Sequence, residues 1–88
     1  MDELITVSVQ VLPAGNDFPV ELSIYTTGEE LVEELINAGE APGVNTNGNP
    51  VIYELFSKEG EIPLEKSMRD MSVKDGDMLR LVPKVVAG

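Results

Sequence analysis

Neither cysteine nor histidine occurs anywhere in this chain, so the commonest nucleophiles, general bases and soft metal ligands are missing from the start. What remains for chemistry is acids, a few amines and amides, and the carboxylate at the end. Glu29, Glu30, Glu33 and Glu34 share one side of a helical repeat, but no histidine or ligand-bearing turn accompanies them, and they read as a solvated helix face. Gly43 and Gly48 have the spacing of a phosphate loop, yet Asn49-Pro50 stands where lysine and Ser/Thr are required. Asn45, Asn47 and Asn49 imitate the opening of a calcium loop, but Pro50 replaces its glycine and the closing glutamate is absent. With no acid pair in a catalytic setting, the expectation is a non-enzyme. The last ten residues, Leu79-Arg80-Leu81-Val82-Pro83-Lys84-Val85-Val86-Ala87-Gly88, are of another kind. Leu79 and Leu81 alternate with Arg80 and Val82 as a strand does, and a small-residue tail ending in a glycine carboxylate follows. Pro83 removes a backbone donor, which predicts that the chain leaves its sheet there.

Composition narrows the partners. Sixteen acids against six bases give a formal charge of −10 over 88 residues, which repels phosphate backbones and anionic lipid, so neither nucleic acid nor membrane is expected as a partner. Apolar runs are far shorter than the ~20 residues that span a bilayer, and the acidic start, Met1-Asp2-Glu3, is not that of a secretory signal. A cytoplasmic location is the expectation. At 42% hydrophobic residues the chain supports one modest core and one domain.

The elements that must position these residues follow from periodicity. Ile5, Val7, Val9 and Val11 alternate with Thr6, Ser8 and Gln10 in a first strand over 4–12. After a turn at 13–17, Val20, Leu22 and Ile24 alternate over 19–25 and predict a hairpin partner. Thr26 with Glu29, or Thr27 with Glu30, forms a capping box, and Leu31, Leu35 and Ala38, flanked by Val32 and Ile36, form the apolar stripe of a helix closed at Gly39. Residues 39–50 predict an ordinary long connection. A third strand over 51–57 puts Val51, Tyr53 and Leu55 on one face and Ile52, Glu54 and Phe56 on the other. A short edge strand around Ile62–Leu64 follows, then Met68, Met71 and Val73 as core plugs, and a last strand over 79–82. The fold class is α+β: a mixed four- to five-stranded sheet with one helix on one face.

From Leu55 to Gly88 the chain resembles the second half of ubiquitin without a gap. Leu55, Ile62, Met68, Val73, Leu79 and Leu81 fall on the family's core positions, and Leu79-Arg80-Leu81-Val82 with Gly88 falls on its last strand and tail. The first half matches more loosely, through the hairpin and the capped helix, with a longer loop at Asn45 to Pro50. Tyr53-x-Leu55, the Gly60 turn and Asp75-Gly76-Asp77 also resemble the bacterial ubiquitin-like proteins, including the small one of type VII secretion loci. The resemblance implies a ubiquitin-like β-grasp domain over 1–83 and a tail over 84–88.

It further implies a modifier without a cofactor of its own, attached through Gly88. An E1-like adenylating enzyme activates that carboxylate with ATP, an E2-like conjugating enzyme carries it, target-protein lysines receive it, and an isopeptidase-like protease removes it. The docking face implied is Phe56, Arg80 and Val82, and Lys58 is the lysine best placed to accept a further copy. Two features depart from the family pattern. Ala87 replaces the first glycine of the usual pair, and Gly60 and Asp75 stand where the main chain-forming lysines belong. Two other roles fit the same resemblance: a non-covalent adaptor of a secretion-type system docking through Phe56, and a sulfur carrier bearing a thiocarboxylate on Gly88.

Overall fold

The computed structural model describes residues 3–13 and 15–84. Five strands and one helix occur in the order β1 (Leu4–Val11), β2 (Asn16–Ser23), α1 (Gly28–Asn37), β3 (Tyr53–Ser57), β4 (Gly60–Ile62) and β5 (Met78–Pro83). The strands form one sheet in the order β2-β1-β5-β3-β4. β1 and β5 run parallel at its centre, and the other pairs are antiparallel. The expected α+β architecture is therefore present, with five strands.

Alternation decides which side of the sheet is dry. Val7, Val9 and Val11 of β1, Leu22 of β2, Tyr53 and Leu55 of β3, Ile62 of β4 and Leu79 and Leu81 of β5 are all buried, and Leu31 and Leu35 of α1 join them in one core. Met68 and Val73 close it from the irregular segment before β5, with Met71 partly buried against it, as their spacing predicted. Glu29, Glu30, Glu33 and Glu34 all lie exposed on the far side of α1.

The helix starts at Thr27 rather than Thr26. Thr27 Oγ1 accepts from the Glu30 N–H, and Glu30 Oε1 accepts from the Thr27 N–H at 2.9 Å, so each residue satisfies an amide of the other. The Gly28 and Glu29 N–H groups donate to the carbonyls of Lys66 and Leu64. That contact draws the segment 64–66 so close that a Cβ on Gly28 would lie 3.2 Å from the Leu64 Cα. At the other end, Gly39 at φ +80° donates to Ile36 O and Glu40 donates to Leu35 O, the paired bonds of a Schellman stop. This stop places Ala38 at the cap, where it is exposed, so Ala38 is not part of the buried stripe.

Several strand boundaries differ from the sequence reading, β1 ending at Val11, β4 beginning at Gly60 and β5 running from Met78 to Pro83 among them. β2 begins at Asn16 and ends at Ser23, leaving Ile24 in the following turn. Pro19 sits mid-strand without harm because β1 pairs with the residues on either side: Val9 and Phe18 lie opposite, and Ile24 N–H donates to Glu3 O. By that alternation the missing Pro19 donor faces the free edge. β3 begins at Tyr53, two residues later than expected, and β4 ends at Ile62 before Pro63. The connection over 39–50 is also more than a plain link. Asn45 Oδ1 accepts from the Asn47 and Asn49 N–H groups at 2.9 and 3.0 Å, Val44 and Pro50 form a β-bridge, and the Tyr53 hydroxyl donates to Pro42 O at 2.7 Å.

Pro83 does not end the pairing. Leu12 N–H donates to Leu81 O, and Lys84 N–H donates to Ile52 O at 2.7 Å, so odd-numbered residues of β5 face β1 and even-numbered ones face β3. Pro83 therefore lacks a donor only on the β1 side, from which β1 has already turned away, and the ladder to β3 continues through Lys84.

Candidate docking face

The side of the sheet away from α1 is built by the outward-facing partners of the alternation, apolar as well as charged. Met78, Arg80 and Val82 of β5 share it with Ile52, Glu54 and Phe56 of the β3 segment, since their even-numbered positions interleave with the buried Leu79, Leu81, Tyr53 and Leu55. Phe56 lies directly opposite Arg80, and Glu54 opposite Val82. The register continues outward: Asp17, Gln10, Arg80, Phe56 and Glu61 form a single row across all five strands. The three residues singled out as a docking face are thus brought together, Phe56 and Val82 half-buried and Arg80 exposed.

Sequence reasoning missed Met78. Its side chain is 47% exposed, and it lines a shallow depression with Phe56, Ser57, Lys58 and Arg80. The signal was present in the alternation, because Met78 has the parity of Arg80 and Val82, but a strand start set at Leu79 excluded it. A thioether beside a phenyl ring and a guanidinium makes an adaptable apolar contact with a cationic rim. Ile52 adds a second exposed apolar side chain, 52% exposed, at the end of the same face.

Lys58 occupies the two-residue turn between β3 and β4 and is exposed. The Ser57 Oγ accepts from the Glu59 N–H at 3.1 Å and shapes that turn. Lys58 is therefore both an accessible amine and part of the rim of the Phe56 depression. β5 is placed by a separate device. Thr6 N–H donates to Asp75 Oδ1 at 2.7 Å, Gly76 N–H donates to Thr6 O, and Lys74 N–H donates to Asp77 Oδ2, so the 74–77 turn is bolted to β1 before Met78 enters the sheet.

No group of three or more potential metal ligands gathers among the described residues, and none of their helices is long and apolar enough to cross a membrane. The failed phosphate-loop and calcium-loop patterns are accounted for by the bridge and amide bonds of the 44–50 loop. Burial pushes the Tyr53 phenol above its ordinary value near 10, and its hydroxyl donates to the loop at Pro42 O. Gly88 lies outside the described residues.

No protein-family model matches this chain, and no curated protein sequence does. Solved structures do match. A de novo design based on ubiquitin superposes with a TM-score of 0.75 at 16% identity, covering 97% of this chain and 94% of the design. Ubiquitin from Caldiarchaeum subterraneum superposes at 0.70 with 14% identity, covering 97% and 99% of the two chains. The ubiquitin-like domain of an Arabidopsis thaliana protein gives 0.71 at 14% identity, over 96% and 81%. At these identities the likeness speaks to fold: the chain has the ubiquitin-like β-grasp fold.

Proposed function

We propose that this ubiquitin-like chain is a protein modifier that docks its partners on the outer sheet face and is joined to them through Gly88. The observation that carries the reading is the double use of β5. Arg80 and Val82 lie in the centre of the docking face, and the same strand, still bonded to β3 at Lys84, leads directly into residues 85–88. A partner seated on Phe56, Met78, Arg80 and Val82 is thereby positioned beside the outgoing chain.

The chemistry belongs to partner enzymes. A carboxylate oxygen of Gly88 attacks the α-phosphate of ATP and pyrophosphate leaves. A thiolate of the E1-like enzyme attacks the acyl carbon and AMP leaves. Exchange to an E2-like thiol and attack by a lysine amine then form the isopeptide bond, releasing the thiol. This chain contributes recognition and an acyl carbon with no adjacent Cβ, which a narrow channel admits most easily. In this reading the chain catalyses nothing. Incubation with an activating enzyme and ATP should give a thioester adduct, lost on deleting Gly88 and weakened by Phe56→Ala. If the intact chain forms no adduct with an activating enzyme from its own source, the conjugation reading fails.

A second reading, a non-covalent adaptor, is favoured by the docking face lying wholly within residues 52–82. Partner capture that survives removal of residues 85–88 but not Phe56→Ala supports the adaptor over the modifier.

A further inference from the structure

The chain has five asparagines, at positions 16, 37, 45, 47 and 49. An asparagine amide is open to attack by the backbone nitrogen of the next residue. A bond forms from that nitrogen to Cγ, its proton passes to solvent, and the side-chain nitrogen leaves as ammonia. Water then opens the cyclic imide at either carbonyl, leaving an aspartate or its β-linked isomer. The attack requires an N–H on the following residue, little crowding there, and enough freedom for nitrogen and Cγ to meet.

Four of the five sites are poorly placed. Pro50 gives Asn49 no N–H to be attacked by. Asn37 ends α1, where the Ala38 N–H is engaged by Glu34 O at 2.9 Å. Asn16 lies in the β1–β2 ladder opposite Val11 and precedes the bulkier Asp17. The Asn45 side chain is held by two backbone amides and precedes β-branched Thr46. Asn47 shares with Asn37 a following N–H that is engaged by a carbonyl, but differs on the other counts. It is exposed, its side chain takes part in none of the hydrogen bonds found among the described residues, and Gly48 follows, with open space for 4 Å around the place of a Cβ. The one restraint comes from Asn45, whose carbonyl accepts from the Gly48 N–H at 2.9 Å while its Oδ1 accepts from the Asn47 N–H.

The surroundings give the reaction a consequence. Asn47 lines a cleft with Pro50, Ile52, Pro83 and Lys84, and residues 41–53 contain no charged side chain. We infer that Asn47–Gly48 is a self-modifying bond, gated by Asn45, whose slow conversion places the loop's first carboxylate in the cleft beside Lys84. The site is independent of whether Gly88 is conjugated.

The test is to age the full-length protein at physiological temperature and neutral pH, following it by peptide mass mapping and by enzymatic methyl labelling of isoaspartate. Conversion is expected at position 47 alone, giving both isomers, and is abolished in Asn47→Gln. Asn45→Ala removes two exposed hydrogen bonds and is expected to speed conversion roughly five- to tenfold, the factor corresponding to about 1–1.4 kcal/mol of loop restraint. Retention of the Asn47 amide over many lifetimes of the same bond in a free 43–52 peptide overturns the assignment. So does conversion spread evenly over Asn16, Asn37 and Asn47. An unchanged rate in Asn45→Ala overturns the gate.

Discussion

Replacing Tyr53 by phenylalanine removes one hydroxyl from a side chain that is 4% exposed and leaves the ring, its packing and its place opposite Pro83 unchanged. The group lost is the 2.7 Å donor to Pro42 O, which ties the 39–50 connection to β3. Leaving a buried acceptor bare costs up to about 3 kcal/mol, but Pro42 is exposed and water can replace the donor, so the expected loss is that of one net hydrogen bond, about 1 kcal/mol. For a domain of this size that corresponds to a fall in Tm of roughly 4–8 °C. Tyr53 also titrates. Burial raises its folded-state pKa above the ordinary 10.0, so the folded state holds the proton more tightly than the unfolded chain. The contribution is fully present below pH 10 and is lost as pH rises through the folded-state value. Denaturant unfolding of wild type and Tyr53→Phe across neutral to strongly alkaline pH reads both effects. The gap between the two proteins should be constant below pH 10 and narrow above it, while other titrating groups cancel in the difference. A gap that stays constant through the alkaline range, or one that is zero at neutral pH, refutes the reasoning.

Three further outcomes are expected. Thr27→Ala removes the Oγ1 half of the capping box, leaving the Thr27 N–H still donating to Glu30, and should lower stability by about 1 kcal/mol in urea unfolding, with Thr27→Ser retaining most of it. Gly28→Val forces a branched side chain against the Leu64 backbone and the Leu55 side chain; overpacking of this kind costs about 1–3 kcal/mol, measurable as a lowered denaturation midpoint. Pro19→Val adds a donor and a β-branched residue to the free edge of β2, and self-association by sedimentation should rise with concentration relative to wild type; an unchanged monomer would show that Asp17 and Glu21 guard that edge unaided.

Where the sequence was legible, one local rule sufficed. The alternation of Val7, Val9 and Val11, the Thr27–Glu30 pair and the plugs Met68 and Val73 each state their environment within a few residues, and all three hold. The outer face was legible for the same reason: once Leu79 and Leu81 point inward, Arg80 and Val82 point outward. What escaped depends on partners far along the chain. That β2 starts at Asn16 is decided by the length of β1 opposite it, and that Ala38 faces water is decided by where the Schellman turn closes. The order of the 44–50 loop comes from the Asn45 side-chain amide together with the Val44–Pro50 bridge and the backbone bonds around it, none of which has a periodic signature.

Pro83 shows most clearly what pairing adds to composition. Read alone, a proline at the end of a strand predicts release, because one backbone donor is gone. In the sheet the question becomes which neighbour loses it. Parallel pairing with β1 ends at Leu81, the side on which Pro83 would have donated, while the β3 side is served by Val82 and Lys84. The proline thus marks the end of one ladder and leaves the other intact. Residues beyond Lys84 accordingly start from a fixed point beside Ile52, next to the docking face and to the cleft that holds Asn47. On the reading that the chain is a modifier, its tail then sets out from a fixed point beside the recognition surface. Breaking that attachment at Lys84, by Lys84→Pro, should impair transfer of the Gly88 carboxylate while leaving binding through Phe56 unchanged. Equal loss of both would mean that the end of β5 supports the face itself rather than the tail.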